Sequence, residues 1–413
     1  MKILIENIKT IVGANPVPQD KLSGKEMSVL PCIEHGWLSI EDGIISGVGT
    51  MKEGMPGIAT YDKVINAERR FVFPCWCDSH THIVYAGSRE GEFVDRVRGL
   101  SYEEIAKRGG GILNSAERLN KTSEDELFES AMHRLNEITR FGTGAVEIKS
   151  GYGLSVEGEL KMLRVIKKLK QYSKLTIKAN FLGAHAMPKI YKERRQEYVD
   201  LIINEMLPVI AKEKLADYID VFCDRGFYTV EETDAILKAG LKHGLQPKIH
   251  ANELDYSGGI QVGVKNNALS VDHLEFTGDA EIECLLKSNT MPTLLPSTAF
   301  FLGLHYPPAR KMIDSGLPLA LATDYNPGSS PSGKMVFIIS LACVKLKMLP
   351  EEAINAATVN SAYAMGVGNT HGTITVGKTA SLFITHPIPS YNYLPYSFGS
   401  DLIETVIVEG EII

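Results

Sequence analysis

Phe71-Val72-Phe73-Pro74-Cys75-Trp76-Cys77-Asp78-Ser79-His80-Thr81-His82-Ile83-Val84 sets a run of apolar residues against a closing His-Thr-His. Read as a strand, it alternates its side chains, so Asp78, His80 and His82 point to one side. Two imidazoles at that spacing are about 7 Å apart along the strand and can both reach one metal ion. An isolated His-x-His is more often a hydrogen-bonded or exposed pair, so the decision rests on what the remaining strand ends carry. Cys75 and Cys77 fall on the other side of the strand and read as small buried hydrophobes rather than zinc ligands.

The surrounding composition narrows the class. At 413 residues the chain can bury a large core, as a barrel with an appendage or as two to three domains. Its 44% hydrophobic and 23% charged residues are those of a globular protein, and a net charge of −7 gives no basic footprint for nucleic acid. No apolar run reaches the roughly 20 residues needed to span a bilayer. The opening Met1-Lys2-Ile3-Leu4-Ile5-Glu6-Asn7 meets an acid too early for a signal peptide. Six scattered cysteines form no disulfide framework, which points to a reduced cytoplasm.

The chain pattern is β-rich at both ends and alternating between them. Lys2–Ile5 reads as a short strand, and Trp37–Ile45 as two strands about the Asp42-Gly43 turn. Ser381–Ile384 and Thr405–Ile413 repeat the style. Residues 1–70 and 366–413 are therefore expected to form one small β-sandwich domain. From 71 to 365 strands alternate with helices. After the opening strand come Ala145–Ile148, Leu175–Leu182, Asp217–Cys223, Gln246–His250, Ala268–His273, Thr290–Leu295 and Leu317–Asp324. Ser155 and Thr229 start two of the helices. Eight strand–helix units predict a (β/α)8 TIM barrel, an α/β fold.

A barrel of this kind keeps its chemistry at the C-terminal ends of its strands. Those ends carry His80 and His82 (first), His185 (third), His250 (fifth), His273 (sixth) and Asp324 (eighth). His80, His82, His250 and Asp324 make a three-nitrogen, one-oxygen set for a divalent ion with a position left for water. Zinc or iron suits imidazole with carboxylate, whereas magnesium and calcium ask for more oxygens. His273 reads as a hydrogen-bond partner of the water or of an oxyanion rather than as a ligand.

These motifs resemble the amidohydrolase superfamily and, within it, the imidazolonepropionase family. The resemblance runs through the whole barrel. It is carried by Asp78–His82 with Ala86-Gly87-Ser88-Arg89, by Glu147–Leu154, by Leu182–Pro188, by His250–Leu254 and by Asp324–Ser329. Lys149-Ser150-Gly151-Tyr152-Gly153-Leu154 and Asp324-Tyr325-Asn326-Pro327-Gly328-Ser329 are far more specific than His-x-His alone. Cys75-Trp76-Cys77 departs from the commoner Pro-Gly-Phe-Val-Asp and touches wall residues, not ligands. Two-metal barrels of this type bridge their ions with a modified lysine at the fourth strand's end. Here Cys223-Asp224-Arg225 stands there, so one divalent metal per chain is expected, Zn2+ or iron (2+ or 3+).

The resemblance implies hydrolysis of the ring C–N amide bond of 4-imidazolone-5-propanoate to N-formimino-L-glutamate, a step of histidine degradation. In it, hydroxide formed on the metal attacks the ring carbonyl. The departing ring nitrogen needs a proton, and Glu253, three residues past His250, is the expected acid, with His273 and Asp324 sharing the proton traffic. Glu253 also falls among the substrate contacts. Arg89 is expected to bind the propanoate tail through two parallel hydrogen bonds, while Tyr152 and His185 line the pocket. Asn326, Gly328 and Ser329 are expected to contact substrate, although Asn-Pro-Gly-Ser is also a strong turn by itself. Lys149 reads equally well as a structural ion pair and is left out of the site. The family implies a homodimer acting on a small anionic substrate, with no nucleic acid and no membrane partner. Two alternatives stand beside this reading. One is a related amidohydrolase, such as a heterocyclic-base deaminase or another cyclic amidohydrolase. The other is a barrel that has lost catalysis and serves as a scaffold.

Overall fold

A computed structural model describes residues 1–15, 20–100, 104 and 110–413. The first strands are β1 (Lys2–Val12), β2 (Cys32–Glu41), β3 (Ile44–Thr50), β4 (Lys63–Asn66) and β5 (Phe71–Pro74). Next come β6 (Trp76–Thr81), β7 (Thr143–Lys149), β8 (Thr176–Ala184), β9 (Tyr218–Cys223), β10 (Gln246–Ala251), β11 (Ser270–His273), β12 (Met291–Leu294) and β13 (Ala320–Leu321). The last three are β14 (Leu382–Thr385), β15 (Ile403–Val408) and β16 (Glu411–Ile412).

Strands β6 to β13 lie side by side in chain order, every neighbouring pair parallel. The ring closes between its first and last members. The Asp324 N–H donates to the His80 carbonyl at 3.0 Å and the His82 N–H to the Tyr325 carbonyl at 2.9 Å. Asp78 adds a side-chain clasp, accepting from the Thr323 N–H at 3.0 Å and the Thr323 hydroxyl at 2.6 Å. Helices cross between the strands, started where the sequence offers a cap. Ser155 accepts the Gly158 N–H ahead of Val156–Tyr172, and Thr229 with Glu232 forms a capping box ahead of Val230–Lys242. This is the (β/α)8 barrel. None of its described helices is long and apolar enough to cross a membrane.

Two expectations about strand extent are corrected. The run from Phe71 to Val84 is two strands, not one. β5 pairs with β1 and β14 in the terminal sheet, and β6 opens the barrel. Cys75 is the crossing point, its N–H bound to the Ser381 carbonyl while the next N–H, of Trp76, goes to Gly142 in the barrel. The eighth strand, expected over Leu317–Asp324, pairs only at Ala320 and Leu321. Asp324 stands beyond it with a positive φ of 53°, a conformation incompatible with continuing the ladder.

The terminal strands form a sheet in the order β16-β15-β14-β5-β1-β2-β3, with β4 on β1. The β2–β3 hairpin turns at Asp42-Gly43, both at positive φ, as a tight two-residue turn requires. Strand parity gives this sheet two faces. Val72, Leu382 and Ile384 pack with Ile3, Ile5 and Leu38 in a core of their own, while Phe71, Phe73 and Phe383 join the barrel's core. Phe73 stacks on Phe383 with centroids 5.2 Å apart, and Trp76 lies 5.0 Å from Phe383. Cys75 and Cys77 are buried, and burial pushes both thiols up, Cys77 to about 12, so they behave as apolar wall residues.

Inside the barrel, the layer beneath the catalytic end is charged rather than aliphatic. Glu147, Lys149, Asn180, Asp220, Lys248 and Asp272 are all fully buried.

Candidate active site

His80, His82 and His250 converge at the mouth of the barrel, buried and within reach of one ion. The His80 and His82 Nε2 atoms are 3.3 Å apart, and those of His250 and His82 3.4 Å. Asp324 Oδ1 lies 3.5 Å from His80 Nε2 and 3.6 Å from His82 Nε2. Donors bonded to zinc at about 2.0–2.1 Å in a tetrahedron stand about 3.3–3.4 Å from one another, so this spacing suits a single ion.

The tautomers lead to the same place. His80 Nδ1 is 2.6 Å from Asp272 Oδ2, and His250 Nδ1 is 3.0 Å from Asp220 Oδ1. A carboxylate only accepts, so each Nδ1 carries the proton and each Nε2 presents a bare lone pair. Both lone pairs face His82 Nε2, and that of His80 also faces the Asp324 carboxylate. Such a cluster repels itself unless a cation sits among the donors. Burial, with the charge of Lys149 next for His80 and of His185 next for His82, drives both imidazoles well below the usual histidine range. They therefore stay neutral and available as ligands. Burial alone would raise the Asp220 carboxyl, but Lys149 and His250 outweigh it and hold it well below the usual range.

Asp324 is aimed by its neighbours. Its Oδ2 accepts from the Thr298 hydroxyl at 2.6 Å and the Ser329 hydroxyl at 3.2 Å, which leaves Oδ1 toward the histidines. His273 and Leu274 at the sixth strand's end also hold positive φ, 86° and 71°. A bulky leucine there is a strained residue, and such strain collects at functional sites.

A cavity of about 670 Å³ opens over these ligands, walled by Arg89, Tyr152, His185, Glu253, His273 and the 326–329 loop. His185 stacks on His82 with centroids 5.2 Å apart, and its Nδ1–H donates to the Gly151 carbonyl at 2.9 Å. Burial, then the charge of His250, lowers it to about 3, so it is neutral with Nε2 as an acceptor. Tyr152 packs against both rings. Its loop is gripped from below by Glu159, which accepts the N–H groups of Gly151, Gly153 and Leu154.

On the opposite wall Arg89 is nearly buried and pairs with Glu92 at 2.5 Å. This ion pair is largely shielded from solvent. A Cβ at Gly328 would overlap Arg89 Nη1, so a larger residue there would push the guanidinium from its present position. Asn326 is committed to the turn, its Oδ1 accepting from the N–H groups of Gly328 at 2.7 Å and Ser329 at 2.8 Å. The turn reading of this segment therefore holds while the loop lines the cavity.

Glu253 lies over the site, Oε2 3.7 Å from His273 Nδ1. Burial, reinforced by Asp324 and Asp224, raises it to about 8. Burial, then His250, keeps His273 well below the usual range. Of the residues the sequence proposed, all but His80 line this cavity, and His80 is buried beside His82, their Nε2 atoms 3.3 Å apart. Lys149 is not in the wall but in the layer below, 2.7 Å from both Glu147 and Asp220. Sequence reasoning missed Asp220 and Asp272, which orient two ligands, and Glu92, beside Arg89. For Asp220 and Asp272 the one local signal was an acid within a strand, which does not tell an inward side chain from an outward one. It also missed Glu275, 3% exposed with both carboxyl oxygens unpartnered, which burial and then Glu253 push well above the usual range.

The profile of the amidohydrolase family matches residues 71–413. The chain is 59% identical over 413 residues to the imidazolonepropionases of Flavobacterium johnsoniae and Flavobacterium psychrophilum, in both cases covering all of each chain. Among solved structures, E. coli guanine deaminase superposes with a TM-score of 0.75 at 14% identity, over 100% of this chain and 99% of that one. A triazine hydrolase variant does so with 0.75 at 15%, over 100% and 94%. These distant structures share the fold. Together with the profile, the relatives over full length establish that the chain belongs to the amidohydrolase family and, within it, to the imidazolonepropionases.

Proposed function

We propose that the chain opens the ring of 4-imidazolone-5-propanoate by hydrolysis at one divalent ion, held by His80, His82, His250 and Asp324, giving N-formimino-L-glutamate. The observation that carries this reading is the convergence of three buried imidazoles, with the Asp324 carboxylate within 3.6 Å of two of them, in a chain of this family. Three nitrogens and one oxygen fit zinc or iron. Such an ion, when bound, supplies Lewis-acid polarisation of the carbonyl and a water made acidic enough to attack at neutral pH.

The remaining work falls to the chain. Arg89 presents its guanidinium to the propanoate, with Glu92 fixing the fork. Tyr152 and the His185 Nε2 acceptor orient the ring's polar edge. The neutral His273 offers one N–H to the oxygen that gains charge as the carbonyl is attacked. Glu253, held protonated by burial, delivers a proton to the departing ring nitrogen. Asp324 would help hold the ion, and it accepts hydrogen bonds from Thr298 and Ser329, so its orientation is fixed before substrate arrives. A guanidinium in this wall matches a carboxylate tail, which a neutral base lacks. The proposal includes a homodimer, as the family implies, and a cytoplasmic location, in keeping with six free cysteines.

The tail contact has a direct test. Arg89→Met removes a two-bond, charge-assisted contact worth about 3 kcal/mol, so KM for imidazolonepropanoate rises roughly a hundredfold. kcat changes far less, because the tail binds alike in substrate and transition state. An unchanged KM removes Arg89 from the tail site.

A further inference from the structure

Lys149 is the residue the reaction does not use and the fold does not obviously need. It is fully buried at the end of β7. Its Nζ lies 2.7 Å from Asp220 Oδ2 and 3.6 Å from Asp272 Oδ2. These are the two carboxylates that receive the Nδ1–H of His250 and of His80. One ammonium thus joins the supports of two imidazoles that arrive from different strands, β10 and β6.

The layer around it is closed to water. Glu147 accepts from Lys149 at 2.7 Å through Oε1 and pairs with Lys248 through Oε2. Lys248 also donates to the Ser79 carbonyl at 3.1 Å and the Ala364 carbonyl at 3.2 Å. Asn180 donates to Glu147 at 2.8 Å and to Asp220 at 2.9 Å. Three carboxylates against two ammoniums leave one negative charge in a layer with no exposed member. Removing Lys149 would leave three against one, with Asp220 and Asp272 facing each other across the vacated space. In a medium of low dielectric that repulsion is severe.

We infer that Lys149 is a positioning residue for the metal centre, clamping Asp220 and Asp272 together so that His80 and His250 are held in register with a shared ion. The inference rests on the metal reading above. The ordinary alternative is an ion pair that only staples β7 to β9. The two differ in what happens to the ligands. Without the clamp the carboxylates rotate apart and each carries its imidazole with it, so the two Nε2 atoms lose the separation that suits one ion. Partners of metal ligands typically account for 10–100-fold in affinity.

The test is zinc affinity of the metal-stripped protein, read by competition with a chromophoric chelator, together with the melting temperature with and without zinc. Wild type comes first, and a wild type that takes up no zinc overturns the metal reading itself. Given zinc binding by wild type, Lys149→Met weakens it 10–100-fold and shrinks the zinc-induced rise in melting temperature. Adding Asp220→Asn to Lys149→Met returns the layer to its original charge and recovers part of the lost affinity, a coupling that independent sites do not show. If Lys149→Met alone does not fold, the charge-balanced double variant carries the same pair of measurements against wild type. Zinc affinity within twofold of wild type, with both melting temperatures lowered equally, assigns Lys149 to the staple and overturns the inference.

Discussion

Glu253→Gln is expected to lower kcat for imidazolonepropanoate by roughly 10²–10⁴-fold, the span that positioned acid–base catalysis contributes, with KM nearly unchanged. Glutamine keeps the shape and the hydrogen-bonding capacity but has no proton to give the ring nitrogen. The pH profile carries a second signature. Burial first, then Asp324 and Asp224, raises the Glu253 carboxyl from its ordinary value to about 8. A carboxyl is protonated below its pKa, so the acid is present at neutral pH and is lost as pH rises through that value. A divalent ion beside it offsets the charge of Asp324 and moves the loss toward lower pH. Steady-state kinetics of wild type should show this alkaline fall in kcat, and the residual activity of the glutamine variant should lack it. An unaltered kcat would return Glu253 to the role of a wall residue.

The second large effect is at a ligand. His250→Ala removes one of the nitrogens that converge on the ion and leaves Asp220 without the ring it holds. Changes to the partners of ligands already cost 10–100-fold in metal affinity, so loss of the ligand itself should cost at least about 10²-fold. The purified variant should emerge depleted of metal, and its turnover should fall with its occupancy. Metal analysis alongside the assay separates this from a folding defect, which far-UV circular dichroism would report. A variant that keeps a full complement of metal would show that His82, His80 and Asp324 suffice.

The site was largely legible in the sequence because its ligands sit where strands end, and strand ends can be read from hydrophobic runs bounded by turn residues. His80, His82, His250, His273 and Asp324 each follow a short apolar or β-branched run, and the Asp-Gly hairpin at Asp42-Gly43 was equally plain. What escaped had a common physical reason. Asp220 and Asp272 lie inside strands and make their contacts across the barrel, with partners as far as 192 residues away in the chain for the Asp272–His80 pair. Nothing local in either strand distinguishes an acid pointing inward to a histidine from one pointing out to solvent. Lys149 could not be settled for the same reason, since its partners Asp220 and Asp272 come from two other strands. The division of the opening run at Cys75 was hidden because both halves are apolar, and only tertiary pairing tells which sheet each half joins. The eighth strand shrank to two paired residues because Asp324 needs a backbone turned out of the ladder to face the histidines.

Loss of 4-imidazolone-5-propanoate, followed in the same preparation before metal removal, after chelation and after adding back zinc or ferrous iron, tests the central claim most directly. The account predicts about one metal ion per chain, turnover that disappears with the metal, and recovery on its return. Full turnover by metal-free protein, or a metal-loaded protein inert toward this substrate, would contradict it.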